Sequence, residues 1–250
     1  MTIKLPTLTI TAKDLSPDGL YIGKADVTNW QGHIEIAANL GCVKFSSALH
    51  ASGRIRALAS SGIKAGLGIE AGWGIEAGEG IEAGWGIEAG LGIEAGWGIE
   101  AGLGIKAGLG IKAGSGIEAG LGIEAGWGIK AGLGIKAGLG IKAGLGIKAG
   151  EGIEAGWGIE AGLGIKAGLG IKAGSSIKAG EGIEAGWGIE AGLSISCKTL
   201  SSKLRIFAGL CSKRLPTPEE TQIQCEKLEQ GTISFGNLII KAKGEPPNAT

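Results

Sequence analysis

The amino-acid sequence predicts an all-β chain: a parallel β-solenoid of short I-x-A strands with glycine turns, capped at both ends. Three observations carry that expectation. From Gly62 the chain reads G-I-(K/E)-A-G-x for 22 uninterrupted units, ending at Leu193. Position two is always Ile and position four always Ala, whereas position three is Lys or Glu and position six is Leu, Trp, Glu or Ser. Glycine accounts for 52 of the 250 residues, far above its ~7% share in ordinary globular proteins.

Residues 1–61 read as the N-terminal β cap. Leu8, Ile10, Ile34, Ile36, Val43 and Phe45 alternate with polar residues, the period-two pattern of a strand with one buried face. Ile55-Arg56-Ala57 already has the I-x-A form of the repeat. A cap is needed because the open end of a solenoid presents unpaired strand edges that would template polymerisation.

Residues 62–193 form the repeat. A helix there would hold 43 glycines in 132 residues, each costing ~1 kcal/mol relative to alanine. Collagen requires glycine at every third position, but here the spacing alternates between four and two. Extended structure remains. In Ile-(Lys/Glu)-Ala, Ile and Ala fall on one face of a three-residue strand and the charge on the other. Gly-x-Gly then bends the chain, glycine being free to reach positive φ. Such a strand cannot bury its Ile alone, so copies must stack, coil upon coil. Glu79, Glu151 and Glu181 at position six place that position outside, since an unpaired buried carboxylate is very costly.

Two coil lengths satisfy this pattern. Coils of twelve residues have two sides and put Trp73, Trp85, Trp97 and Trp157 together. Coils of eighteen have three sides and spread the six repeat tryptophans two to a side. The Lys and Glu blocks do not choose between them, and the thirty-residue spacing of Trp97, Trp127, Trp157 and Trp187 matches neither.

Residues 194–243 read as the C-terminal β cap. Leu204-Arg205-Ile206-Phe207 and Thr232-Ile233-Ser234-Phe235 are strand-like, and Ile240-Lys241-Ala242 echoes the repeat. Between them Arg214 to Thr221 is a polar loop, or else Thr217-Pro218-Glu219-Glu220 is a capping box that opens a short helix. The tail, 244–250, is expected to be disordered.

The chain balances 24 basic against 24 acidic side chains, so no overall field favours nucleic acid or an anionic membrane. The repeat holds 10 Lys against 15 Glu, and the flanks offset this. A Lys or Glu in every hexad prevents the ~18 apolar residues that a membrane span requires. Met1 to Thr11 lacks the basic and apolar regions of a secretory signal. A cytoplasmic chain is the expectation, with Cys42, Cys197, Cys211 and Cys225 as reduced thiols, since no CxxC spacing links them.

The rhythm of Gly68-Ile69-Glu70-Ala71-Gly72 resembles the β-solenoid core of bactofilin-like polymer-forming proteins and, more distantly, hexapeptide-repeat proteins. The resemblance covers about half the chain and implies a cytoplasmic scaffold that assembles end to end without nucleotide. These hexads are more uniform than the family's, and tryptophan outside the coil departs from it. The hexapeptide acyltransferase signature places a small residue two before the aliphatic one, where this chain has Trp73 or Leu91, so that match fails.

Candidate sites are few. An acyltransferase would need His33 or His50 as base, yet both read as ordinary cap residues. Neither the histidines nor the cysteines have the paired spacing of a zinc site, and Cys211 and Cys225 are expected to pack as small apolar residues. The repeat lacks the Asp of calcium-binding turns and the Thr of ice-binding arrays. No catalytic, cofactor or metal site is expected. The candidate interaction face is Trp73, Trp85, Trp97, Trp127, Trp157 and Trp187, an apolar array of the kind that marks contact sites. The expected function is a non-enzymatic scaffold that self-associates as a homo-oligomer. The alternative is a protein- or polysaccharide-binding module, such as an inhibitor from a mobile element.

Overall fold

The computed structural model describes residues 5–211 and 214–242. Strand β1 spans Thr7–Ile10, β2 His33–Ile36, β3 Gly41–Phe45, β4 Leu49–Ala51, β5 Ile55–Ala57, β6 Ser61–Ala65 and β7 Ile69–Ala71. One strand per hexad follows, from β8 (Ile75–Ala77) to β27 (Ile189–Ala191). The last five are β28 (Ile195–Ser196), β29 (Thr199–Ala208), β30 (Gln222–Cys225), β31 (Lys227–Phe235) and β32 (Asn237–Ile240). Among the described residues the strand pairings are parallel, and the fold is a β-solenoid. The chain divides into two compact units, Met1–Gly126 and Trp127–Thr250.

In the first unit the repeat pairs at an offset of eighteen residues. Ile87 lies in register with Ile69 on one side and Ile105 on the other, Ile93 with Ile75 and Ile111, and Ile99 with Ile81 and Ile117. Each coil therefore has three sides, which decides against twelve. The same stacking begins before the repeat: Ile34 pairs with Ile55, and Ile55 with Ile75. The strands from β2 onward thus stack as the repeat does, and the outermost turn differs. There Leu15 bridges Tyr21 in antiparallel fashion, a 3₁₀ turn spans Ala12–Asp14, and Ile10 and Val27 are buried.

The second unit repeats the eighteen-residue register, as in Ile147 with Ile129 and Ile165. Its stacking continues through β29, which pairs with both β26 and β27, and among the described residues reaches β31 and β32. The described residues of the C-terminal cap thus continue the parallel stacking of the repeat. The Thr217 region forms a single 3₁₀ turn, Glu219–Thr221. The Glu220 carboxylate accepts from the Thr217 amide and pairs with Arg214. That pairing, above all the Arg214 hydrogen bond, holds the Glu220 carboxyl down to about 2. The tail 244–250 lies outside the described residues.

The core is what I-x-A dictates. Every repeat Ile is at most 1% exposed and every repeat Ala at most 7%. Burying each Ile contributes roughly 1.5–3 kcal/mol. At the corners, backbone amides bond onward to neighbouring coils: Gly90 N–H donates to Ala71 O at 3.0 Å and Leu91 N–H to Trp73 O at 2.8 Å.

Glycine serves a different purpose from the expected one. No repeat glycine has a positive φ; among the described residues those that do are Gly19, Gly41, Gly209, Gly231 and Gly236, all in the flanks. Position-five glycines are required by close stacking, because a Cβ on Gly108 would sit 2.0 Å from Gly90 O, one coil back. Position-one glycines are looser: a Cβ on Gly98 would meet Gly116 O at 3.4 Å. The single altered repeat glycine, Ser176, occupies position one.

Candidate functional site

Position six points outward at each corner, and the repeat tryptophans are 49–62% exposed. The eighteen-residue register does not gather them on one face. In the first unit Trp73, Trp85 and Trp97 stand in three different corner columns, and in the second so do Trp127, Trp157 and Trp187. A twelve-residue coil would have aligned four of the six, but the third side separates them.

Leucine builds what tryptophan alone does not. In the first unit one corner column reads Leu67, Trp85, Leu103, Leu121, the amides of the last three each donating to the carbonyl one coil back at 2.9–3.1 Å. All four side chains are 37% or more exposed, so the corner is an uninterrupted apolar ridge. Trp73, Leu91 and Leu109 form a second column, and Glu79, Trp97 and Ser115 a third that polar residues break. In the second unit each column contains a polar residue: Glu181 beyond Trp127, Leu145 and Leu163, Glu151 before Leu169 and Trp187, and Ser175 after Leu139 and Trp157. The ridge was readable as apolar residues every eighteen positions, once the coil length was known.

Beside the Trp73 column runs an open groove of about 350 Å³ lined by Arg54, Trp73, Glu76, Leu91, Glu94 and Lys112. Its charges are paired: Glu76 with Arg54 at 4.0 Å and with the neighbouring Arg56 at 3.2 Å, and Glu94 with Lys112 at 2.5 Å. The same in-register logic pairs Lys64 with Glu82 and Lys166 with Glu184. Where the register sets like charges side by side, as in Glu82, Glu100 and Glu118, three carboxylates follow one another in a column that Lys64 begins.

The histidines are far apart in role. His33 Nδ1 accepts the Arg54 amide at 2.9 Å, and its ring meets the Trp73 ring edge-on at 5.0 Å. Its lone pair is therefore engaged in holding the turn. His50 lies in register with Glu70, and Nε2 stands 4.0 Å from the carboxylate, an acidic neighbour that its sequence surroundings did not suggest. Among the described residues no three His, Cys, Asp or Glu side chains gather as metal ligands.

None of the four cysteines is in a disulfide. Cys225 is buried and lies one coil from Cys197, beside the register pair of Ser196 and Gln224. Burial pushes the Cys197 thiol up to about 12 and raises that of Cys225. Both behave as apolar filling.

The coil, its outward corners and the paired charge columns define a parallel β-solenoid repeat protein. No family model matches the chain, and no curated protein or solved structure does either. The resemblance to bactofilin-like proteins accordingly has no family match behind it. No helix among the described residues is long and apolar enough to cross a membrane.

Proposed function

We propose that this chain is a non-enzymatic structural protein that self-associates, a scaffold assembled from copies of itself in the cytoplasm. The observation that carries this reading is the ridge of Leu67, Trp85, Leu103 and Leu121, four exposed apolar side chains in one column. Its period is the coil rise of ~4.8 Å. Contiguous exposed apolar surface of this kind marks an interaction site, and a second copy carries a ridge of the same period. The I-x-A-G rhythm shared with polymer-forming solenoids points the same way.

Light scattering and sedimentation across a range of concentration test the proposal. Mass should rise above the 24.9 kDa of one chain, and Trp85→Ser with Leu103→Ser should weaken that rise. A strict monomer at high concentration rejects it.

The groove beside Trp73 favours a second reading, a module that binds another protein or a polysaccharide, with the ring as an apolar platform and Glu76, Glu94 and Lys112 as polar contacts. Replacing Trp73, Trp85 and Trp97 by Ser would then abolish partner capture while leaving the fold intact.

A further inference from the structure

Two faces of the coil, one in each unit, match in pattern and oppose in charge. In the first unit β9 (Ile81–Ala83), β12 (Ile99–Ala101) and β15 (Ile117–Ala119) stack in register and set Glu82, Glu100 and Glu118 side by side. Three residues after each glutamate stand Trp85, Leu103 and Leu121, all exposed. In the second unit β17 (Ile129–Ala131), β20 (Ile147–Ala149) and β23 (Ile165–Ala167) set Lys130, Lys148 and Lys166 side by side. Three residues before each lysine stand Trp127, Leu145 and Leu163, again exposed. These form a corner column of their own, Leu145 N–H donating to Trp127 O at 2.7 Å and Leu163 N–H to Leu145 O at 2.8 Å.

Each face keeps an unrelieved charge at its middle. Glu82 is paired with Lys64 and Lys166 with Glu184, but Glu100 has a carboxylate on either side and Lys148 an ammonium on either side. Among the described residues neither Glu100 nor Lys148 forms an ion pair. Like charges set opposite one another on neighbouring strands destabilise a sheet, so each column gains from a partner of the other sign. The units share the imbalance: residues 1–126 hold 9 Lys and Arg against 13 Asp and Glu, and residues 127–250 hold 15 against 11.

We infer that these two faces bind each other between copies of the chain, the Glu82, Glu100 and Glu118 face of one copy's first unit against the Lys130, Lys148 and Lys166 face of another copy's second unit. The inference rests on the self-association reading and names its contact. Both columns repeat at the strand spacing of ~4.8 Å, so carboxylates and ammoniums meet one to one. Order along the strand fixes the orientation: the glutamates precede their apolar corner, whereas the lysines follow theirs. Turning one face over to meet the other exchanges left and right. With the two coil axes parallel, Glu therefore meets Lys while Trp85, Leu103 and Leu121 meet Trp127, Leu145 and Leu163. With the axes antiparallel each charged column would lie on the other's apolar corner, without a partner. Closing the two corners on each other removes water beside the ion pairs, which strengthens them. The contact joins unlike faces and is heterologous, so every added chain presents both faces anew.

Charge exchange in the full chain tests the contact. Glu100→Lys and Lys148→Glu each set a charge between two of the opposite sign within its own column, so both variants should fold, which circular dichroism checks. In sedimentation velocity each variant alone should associate about tenfold or more weakly than the unaltered chain, because like charges then face each other between copies. Mixed in equal amounts, the two variants should regain the association of the unaltered chain, since every contact between unlike variants again sets opposite signs together. If neither substitution weakens association, or if the mixture fails to regain it, this pairing of faces is wrong while self-association stands. If the unaltered chain remains a monomer at high concentration, both fall.

Discussion

A methyl group on Gly108 would overlap the carbonyl oxygen of Gly90, whereas one on Gly98 would fit against Gly116 at ordinary tight contact. The two glycines of the hexad are therefore unequal. Gly108→Ala forces neighbouring coils apart at a corner and should cost about 3 kcal/mol or more, the upper range of overpacking. Gly98→Ala should lie within about 1 kcal/mol of neutral, since a small steric cost is offset by the entropy removed from the unfolded chain. Urea midpoints of the two variants, compared at equal slope, measure the difference, and equal losses would contradict it. The inequality left one mark in the sequence, the serine at position 176. It was illegible otherwise, because freedom at φ and close approach of backbones both select glycine, and only the stacked coils separate them.

Strands inherit their partners from the eighteen-residue register, and that register decides which charges meet. Glu82, Glu100 and Glu118 form one column in the first unit. Glu100→Lys would set an ammonium between two carboxylates ~4.8 Å away and should stabilise the unit by a few tenths to about 1 kcal/mol. The gain should vanish toward ~1 M salt, where the screening length falls to ~3 Å; thermal unfolding at low and high ionic strength checks it. Inward Ile and Ala, outward charge and outward position six all follow from the I-x-A alternation alone. The number of sides does not, because every multiple of six brings Ile onto Ile and the core cannot select among them. For the same reason the sequence left open whether the tryptophans share a side or spread two to a side, and which leucines stand between them. The flanks hid more: β29 and β31 pair with register shifts after Leu200, Ser201 and Ile206, so no fixed period announces them as coils.

At the scale of the molecule, stability in such a fold is a sum over coils and their interfaces rather than the property of one shared core. Ile105 in β13 (Ile105–Ala107) is packed between β10 (Ile87–Ala89) and β16 (Ile123–Ala125). Ile105→Ala opens a cavity against both neighbours and should cost about 2–5 kcal/mol. Leu238 has a coil on one side only and is 40% exposed, so less transfer free energy and a smaller cavity are at stake, and Leu238→Ala should cost less than about 1 kcal/mol. The same reasoning orders the amides by protection. In dilute solution those of β31 and β32 should exchange first, because opening them breaks one interface, while those of β10 and β13 should require the breaking of two. Hydrogen exchange resolved by segment measures this order directly. Uniform protection from β10 to β32 would mean that the coils open together, and the nearest-neighbour description would then have to be abandoned.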